Sequence, residues 1–297
     1  MSTLHRREFV LAGMALAAVP AVARGQAAAT GLSGVPGEAV QGALVIGEVG
    51  PGAEVWVDAK PVRVQNGRFC FGFGRDAAKP AAVRVRFEGG REITRMVAPQ
   101  TRNFVIQRID GLPEQYVSPP PDVLERIRRD AYAVGEARAR DTNEMWFADN
   151  FIWPADGPIS SIYGSQRILN GEPREPHYGV DIAAPEGALI RAPVGGIVTL
   201  AQDLYLSGNT MVIDHGHGVS TSYLHMSRVD VKVGDRLNQG DQLGLVGKTG
   251  RATGPHLCWR LNWFQTRLDV ALLSPPRGNG ISAFASMTGT GGMVPSL

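Results

Sequence analysis

Residues that could hold a metal ion are concentrated in the second half of the chain. His177 and Asp181 lie four residues apart, and His225 and His256 follow them. Of the 6 histidines, His5 alone lies outside the interval from 177 to 256. Neutral imidazole is the commonest protein ligand for zinc, and a set of histidine and carboxylate ligands leaves a position open for a hydrolytic water. The residue types and their grouping predict a metal-dependent hydrolase.

The spacing of His177 and Asp181 would suit one face of a helix, but their local sequence does not. Pro176 precedes the pair and Gly179 lies within it, so we expect a turn or an extended segment to bring the two side chains together. Such a pair alone is weak evidence for a metal site. It gains weight from the motifs that follow in order: Asp181-Ile-Ala-Ala-Pro-Glu-Gly-Ala, Ile213-Asp-His-Gly-His-Gly-Val, Tyr223-Leu-His-Met-Ser and Gly247-Lys-Thr-Gly-Arg-Ala-Thr-Gly-Pro-His-Leu.

Over residues 159 to 273 these motifs closely resemble the lysostaphin/LytM-type zinc metalloendopeptidases, which cut peptide cross-links in bacterial peptidoglycan. The resemblance implies a compact all-β peptidase domain that binds one Zn²⁺ ion. It implies that His177 and Asp181 are zinc ligands. His225 and His256 would act in catalysis, where they exchange protons and stabilise the tetrahedral oxyanion.

The third ligand position departs from the family pattern, in which a His-x-His strand supplies it. This chain has His256-Leu257-Cys258 there. Residues 256 and 258 of a strand share one face, so Cys258 can still complete the set with His177 and Asp181. A thiolate binds zinc well but removes one formal positive charge from the site, so we expect metal binding with slower hydrolysis. The alternative is a buried thiol in a site that holds no metal.

Other polar residues near these motifs have less specific roles. Tyr163, Arg167 and Asn170 precede the first ligand in a segment that the family uses near its groove, so they are candidate substrate contacts. His215 and His217 form either a second metal pair or a polar hairpin turn near the cleft. The glycines on both sides of His217 favour the turn.

Two functions from other classes compete with the peptidase. A catalytically degenerate domain of the same fold could activate a cell-wall amidase or serve as a scaffold, and the changed ligand at Cys258 is the feature that raises this alternative. The segment from 231 to 244 resembles the turns of biotinyl and lipoyl carrier domains. It lacks a lysine in the expected hairpin-tip setting, so the carrier is disfavoured.

Composition sets limits on the partners. A chain of 297 residues with 43% hydrophobic and 20% charged residues is long enough for two folded domains. Its net charge of +2 gives no support for a nucleic-acid partner. The expected partners are peptidoglycan and, in addition, a cell-wall amidase or a regulatory protein.

The amino terminus resembles an export signal of the twin-arginine type. Arg6, Arg7 and Phe9 match that pattern and precede a short apolar run, and small residues near 21–27 would suit a signal peptidase. We therefore expect a protein of the periplasm or cell envelope with no stable membrane span after cleavage. Cys70 and Cys258 are too few for a disulfide framework, and a bridge between them is not expected.

The patterning predicts a mainly β protein in five segments. These are a signal peptide at 1–27, a small β-sandwich at 28–110, a linker with a helix at 111–150, the LytM-like peptidase domain at 151–275 and a flexible tail at 276–297. Asn66-Gly67 predicts a hairpin turn, and Phe69, Phe71 and Phe73 are spaced as one buried strand face. The helix is expected over 123–142, with Ser118 or Asp122 as its cap.

Overall fold

The computed structural model describes residues 31–111 and 119–277 of the chain. The described residues are mainly β, as predicted, with one α-helix between two β regions. The predicted signal peptide at 1–27 and most of the predicted tail lie outside the described residues. No helix in the described part of the chain combines the length and the apolar character that crossing a membrane requires. The segment limits given above stay predictions.

The amino-terminal β region contains nine strands. They are β1 (Leu32–Ser33), β2 (Glu38–Val40), β3 (Leu44–Val49), β4 (Glu54–Val57), β5 (Lys60–Val62), β6 (Arg68–Gly72), β7 (Ala81–Arg86), β8 (Glu92–Gln100) and β9 (Ile106–Ile109). Strands β1 to β8 form two sheets, in the orders β1-β3-β6 and β2-β8-β7-β4-β5. Both sheets bury side chains in one apolar core, which gives the predicted β-sandwich.

Two local predictions for the sandwich are confirmed. Phe69, Phe71 and Phe73 are buried in its core. Asn66 and Gly67 both have positive φ angles, 47° and 75°, in the turn before β6. This is the conformation that a tight hairpin turn requires and that asparagine and glycine adopt most easily.

The helix α1 (Pro121–Arg138) is shorter at its end than predicted, and its cap differs. The capping position is Pro120, which makes no side-chain hydrogen bond, and Asp122 lies in the first turn. The prediction of Asp122 as a cap is therefore wrong, and Ser118 lies outside the described residues. Pro121 at the first helical position needs no amide donor, so the proline run itself starts the helix.

The carboxyl-terminal β region contains thirteen strands, with short 3₁₀ helices at Trp146–Ala148 and Val270–Leu272. The strands are β10 (Ile159–Ser161), β11 (Gln166–Leu169), β12 (Glu172–Pro173), β13 (Val180–Ala183), β14 (Leu189–Arg191), β15 (Gly196–Leu204), β16 (Gly208–Asp214), β17 (Val219–Met226), β18 (Arg228–Val229), β19 (Arg236–Leu237), β20 (Gln242–Leu245), β21 (His256–Trp263) and β22 (Thr266–Leu268). The main sheet has the order β10-β13-β21-β17-β16-β15-β19, and β22 pairs with β21. Strand β9 pairs in parallel with β11 and so joins the two β regions.

Alternation along β21 separates a core face from a polar face of the main sheet. Leu257, Trp259 and Leu261 are fully buried in the apolar core. His256, Cys258 and Arg260 occupy the positions between them, and side chains at alternate positions share one face. The polar face of β21 is the floor on which the candidate site is built.

Candidate metal centre

His177, Asp181 and Cys258 converge in the structure. Strands β13 and β21 are antiparallel, and their register places Asp181 directly opposite Cys258. His177 lies in the extended segment before β13, and its Nε2 is 3.0 Å from Asp181 Oδ1 and 3.4 Å from Cys258 Sγ. One ligand atom from each residue lies within 4.8 Å of the others, and all three residues are buried. The arrangement has the donor types and the spacing of a zinc site.

A glycine allows this close approach. A Cβ atom built at Gly179 would lie 2.9 Å from the carbonyl oxygen of Trp259 and 3.2 Å from Cys258 Sγ. Residue 179 therefore has no room for a side chain, because β13 and the segment before it pack directly on β21. The expectation that an extended segment, and not a helix, brings His177 to Asp181 is confirmed.

The hydrogen-bonding pattern around His177 fits a bound cation. Its Nδ1 lies 2.8 Å from the hydroxyl of Ser161, so Nε2 faces Asp181 and Cys258. If Nδ1 carries the ring proton, Nε2 offers a lone pair to a centre that also receives Asp181 Oδ1, a buried oxygen with no hydrogen-bond donor. Acceptor atoms that face one another without a donor are stabilised by a metal ion.

Two arginines flank the three ligands. Arg167 donates from Nη2 to Asp181 Oδ2 over 3.1 Å, and Arg260 donates from Nε to Cys258 Sγ over 3.4 Å. The guanidinium of Arg260 offsets the extra negative charge that a thiolate brings to the site. We had not predicted Arg260 or Ser161 as functional. The signal for Arg260 was present in the sequence, since position 260 shares a strand face with 256 and 258.

The ionisation states of the three residues suit ligation. Burial lowers the pKa of His177, which is therefore neutral at pH 7. Burial alone would raise the pKa of Asp181, but His177 when it carries a proton on Nε2, and Arg167 through its hydrogen bond to Oδ2, lower it and hold the carboxyl ionised. Burial, reinforced by Asp181, raises the pKa of the Cys258 thiol to about 12. Cys258 thus becomes a thiolate at neutral pH only when a cation displaces its proton.

His225 and His256 lie side by side at the same centre. Their ring centroids are 4.7 Å apart, and His256 Nε2 is 3.9 Å from Asp181 Oδ1. Each ring is fixed through Nδ1, at 2.8 Å from the carbonyl of Thr249 for His225 and at 2.9 Å from that of Gly254 for His256. The Nε2 atom of each ring is thus left to accept or donate a proton. Burial, and then the proximity of His256, lowers the pKa of His225 to about 3, so the ring is a neutral base at pH 7.

A bulge in β17 aims His225 at the site. Asn209 pairs with Met226 and Met211 with Tyr223, so two residues of β17, Leu224 and His225, oppose one residue of β16. His225 has a φ of 66°, in the left-handed region that non-glycine residues rarely adopt. In a regular strand the side chains of Leu224 and His225 would point to opposite faces of the sheet, and His225 would point away from the site. The bulge re-aims it, as bulges near active sites do.

The three predicted substrate contacts differ in position. A cleft of about 270 Å³ contains Asp181, Cys258, His225 and His256 in its lining, and Arg167 forms part of its wall. Tyr163 is fully buried, and its hydroxyl donates to the carbonyl of Arg267 over 2.8 Å, so the interpretation of Tyr163 as a substrate contact is wrong. Asn170 lies exposed, with a φ of 48°, in the turn between β11 and β12 and does not line the cleft.

His215 and His217 are not a second metal pair among the described residues. They lie in the turn between β16 and β17, as favoured from the glycines, but both are buried. His215 is engaged by the carbonyl of Gly195 and the hydroxyl of Thr221, each at 2.7 Å, and His217 packs on Phe147. They belong to the core beneath the turn, so their expected position near the cleft is wrong. Cys70 and Cys258 are both free and buried.

Comparison with known proteins gives consistent matches. The model of peptidase family M23 matches residues 175–270. Peptidoglycan DD-endopeptidase ShyA of Vibrio cholerae serotype O1 is 38% identical over 112 residues, which are 37% of this chain and 26% of that protein. Cell division protein DipM of Caulobacter vibrioides is 31% identical over 156 residues, 52% of this chain and 24% of that protein. The chain thus spans about a quarter of the length of these curated relatives.

A solved structure extends the similarity beyond the carboxyl-terminal region. The crystal structure of a protein assigned to peptidase M23 from Pseudomonas aeruginosa superposes with a TM-score of 0.61 at 30% identity. The match covers 79% of this chain and 94% of that protein. The combination of sandwich, helix and main sheet in the described residues therefore resembles the fold of this Pseudomonas aeruginosa protein.

Proposed function

Because this chain belongs to peptidase family M23, we propose that it is a zinc-dependent endopeptidase that hydrolyses peptide cross-links of bacterial peptidoglycan. The observation that carries the proposal is the convergence of His177, Asp181 and Cys258 beside the paired imidazoles of His225 and His256. The name of the Vibrio cholerae relative, a peptidoglycan DD-endopeptidase, supports the choice of substrate.

His177, Asp181 and Cys258 would hold one Zn²⁺ ion. Zinc in such a set polarises a peptide carbonyl and lowers the pKa of water towards neutrality. Ser161 keeps Nε2 of His177 directed at the centre, and Arg167 holds the second carboxylate oxygen of Asp181 away from it. Burial outweighs Arg260 and holds the pKa of Cys258 at about 12, so the hydrogen bond from Arg260 would stabilise the ionised sulfur only once zinc has displaced the proton.

His225 and His256 supply proton transfer at Nε2. Both Nδ1 atoms are committed to backbone carbonyls, so each ring presents a single nitrogen to a peptide in the cleft. His225 is neutral at pH 7, so its Nε2 is free to take a proton from an attacking water whose acidity zinc would raise. His256 is less buried and adjacent to His225; it would receive the proton that His225 takes from the water, stabilise the oxyanion with it and then transfer it to the departing amine.

The chain would act in the periplasm or cell envelope, where peptidoglycan is exposed. The twin arginine at Arg6 and Arg7 supports export to that compartment. Cell fractionation of a strain that produces the tagged protein tests this location.

A second candidate function is a degenerate domain that binds a cell-wall amidase as an activator. The observation in its favour is the pair of guanidinium groups at the ligands, because Arg167 and Arg260 partly satisfy Asp181 and Cys258 without a metal. In that case the thiol of Cys258 stays protonated and the protein has no hydrolytic activity of its own.

Digestion of purified peptidoglycan separates the two functions. The native protein, the chelated protein and a Cys258→His variant are incubated with the polymer, and soluble muropeptides are measured by chromatography. The peptidase requires stoichiometric zinc in the native protein and release of muropeptides that stops on chelation and returns with zinc. Absence of zinc and of product from the native protein would refute the peptidase and favour the activator.

A further inference from the structure

A second cavity opens beside the candidate metal centre and is strongly basic. Its volume is about 590 Å³, and His177 and His225 form part of its wall. Two acidic residues, Asp130 and Glu175, line this basic cavity. Its six arginines are Arg138, Arg167, Arg174, Arg251, Arg260 and Arg267. The excess of guanidinium groups over carboxylates gives the cavity a positive potential.

Three of these arginines have a buried guanidinium nitrogen without an acceptor among the described residues. These nitrogens are the Nε atoms of Arg138, Arg167 and Arg174. Arg138 is 6% exposed, and its hydrogen bond, from Nη2 to the hydroxyl of Ser222, is long at 3.4 Å. Burying a cation without a compensating anion is costly. Such a group is stabilised when an anion enters the space that it faces.

The charges of the basic cavity act on one another. Burial lowers the pKa of Arg138, and the positive charges of Arg267 and Arg260 lower it further. Burial and Arg260 also lower the pKa of Arg267. The neighbouring positive charges thus disfavour the charged forms of Arg138 and Arg267, and a carboxylate in the cavity would relieve this repulsion.

The linker helix forms one wall of the basic cavity. Ile127, Ala131, Val134 and Arg138 recur at the spacing of one face of α1, and all line the cavity. The opposite wall is the polar face of the main sheet, where Ser222 of β17 and Arg260 of β21 contribute. The cavity therefore depends on the helix packed over the sheet, and Arg138 is the arginine that the helix contributes.

The basic cavity is continuous with the cleft at the metal centre. Arg167, Leu169, His225 and Arg251 line both spaces. His177 faces the basic cavity, whereas Asp181 and Cys258 face the cleft, so the ligand set lies at the junction. A peptide whose scissile bond lies at the ligands can therefore extend directly towards the arginines.

We propose that the basic cavity binds a free carboxylate of the peptide held in the cleft, so that the preferred substrate carries an ionised carboxyl group near the scissile bond. This inference rests on the proposed peptidase function and adds the class of substrate. A guanidinium fork matches the two oxygens of a carboxylate, and Arg138 and Arg174 both line the basic cavity. A volume of about 590 Å³ lies within the range of ordinary ligand pockets, roughly 300–1,000 Å³.

Binding of matched peptides tests the inference. The probe is a synthetic stem tetrapeptide of peptidoglycan made once with free carboxyl groups and once with all of them amidated. Calorimetry with the metal-loaded full-length protein should give an affinity for the free acid at least roughly tenfold higher, because charge-assisted hydrogen bonds are the strong ones. The preference should fall to about twofold or less in Arg174→Gln and in Arg138→Met, where one charged donor is lost.

Arg129→Gln is the matched control, since Arg129 is exposed on the same helix and does not line the cavity. Arg174 lies at a partly buried position outside the helix, so its variant keeps the test informative if Arg138→Met unfolds. Equal affinity of the wild-type protein for the two peptides would overturn the inference. An unchanged preference for the free acid in Arg174→Gln would also overturn it. Binding of inorganic phosphate by a protein that shows no preference between the two peptides would do the same.

The same peptides distinguish this inference from the proposed function. Binding is measured again after chelation. Hydrolysis is followed separately with the metal-loaded protein and cross-linked dimers of the same stem peptide, one with free carboxyl groups and one with all of them amidated. Preference for the free acid without any hydrolysis would support the cavity and count against the peptidase. Hydrolysis of acid and amide peptides at equal rates and affinities would support the peptidase and refute the carboxylate site.

Discussion

Asp181 and Cys258 are direct partners across the antiparallel strands β13 and β21. The pairing brings a carboxylate and a thiol to one face of the sheet, and His177 reaches the same point from the segment before β13. Since the register of a buried strand pair is fixed by its core residues, the packing of Val180 and Ile182 against Leu257 and Trp259 also fixes the two ligands. The core on one side of the sheet thus positions the site on the other.

Removing the sulfur should remove the metal. We expect Cys258→Ala to lower zinc affinity by more than about a hundredfold, because loss of a hydrogen bond to a ligand already costs roughly 10–100-fold. Competition with a chromogenic chelator measures the affinity. Cys70→Ala is the control, because Cys70 is also a free, buried thiol but lies in β6, where its Sγ is 3.8 Å from the carbonyl of His217. Zinc binding that survives Cys258→Ala unchanged would exclude Cys258 as a ligand.

The hydroxyl of Ser161 should matter although it is not a ligand. Ser161→Ala removes the hydrogen bond to Nδ1 of His177, frees the ring to reorient and should weaken zinc binding by about 10–100-fold. Ser165→Ala is the matched control, since its hydroxyl bonds the carbonyl of Ile162 and its backbone contact to His177 is kept. If both variants bind zinc with equal strength, Ser161 does not orient the imidazole.

The sequence was sufficient to predict the parts of the site that depend on periodicity. Alternation in His256-Leu-Cys-Trp-Arg-Leu261 gave a strand with one apolar face, and the structure places Cys258 on the polar face beside His256. Glycine and proline near His177 excluded a helix there. Both follow from local backbone preferences that a single strand or turn imposes.

Features that depend on distant contacts could not be predicted in this way. The bulge at His225 reflects a mismatch between β16 and β17, and no local sequence signal marks it. Tyr163 was assigned to the groove from its place before the first ligand, whereas tertiary packing buries it under Arg267. The basic cavity likewise combines α1 with residues of six strands, so it exists only in the folded chain.

Zinc affinity should rise steeply with pH. Burial raises the pKa of Cys258 to about 12, so below that pH the thiol carries a proton that zinc must displace. His177 contributes little to this dependence near neutrality, because its pKa is lowered and the ring is already neutral. Affinity should therefore increase by about tenfold per pH unit between pH 7 and 9, with about one proton released per ion.

Calorimetry in buffers of different ionisation enthalpy counts the released protons. Cys258→His is the reference variant, since a neutral imidazole binds zinc without losing a proton and its affinity should change less with pH. A flat pH dependence with no proton release in the wild-type protein would contradict a thiolate ligand.

His225 should be needed for turnover and dispensable for the metal. Asparagine is the informative replacement, because it tolerates the positive φ of 66° at this position and lacks a titratable nitrogen. His225→Asn should lower kcat for muropeptide release by about 100- to 10,000-fold, the usual contribution of a general acid or base, with zinc content unchanged. Metal analysis and single-turnover kinetics are made on the same preparation. His217→Asn is the control, because His217 also has a positive φ but lies in the core away from the cleft. Unchanged turnover in His225→Asn would reject its catalytic role, and loss of zinc in that variant would instead identify His225 as a ligand.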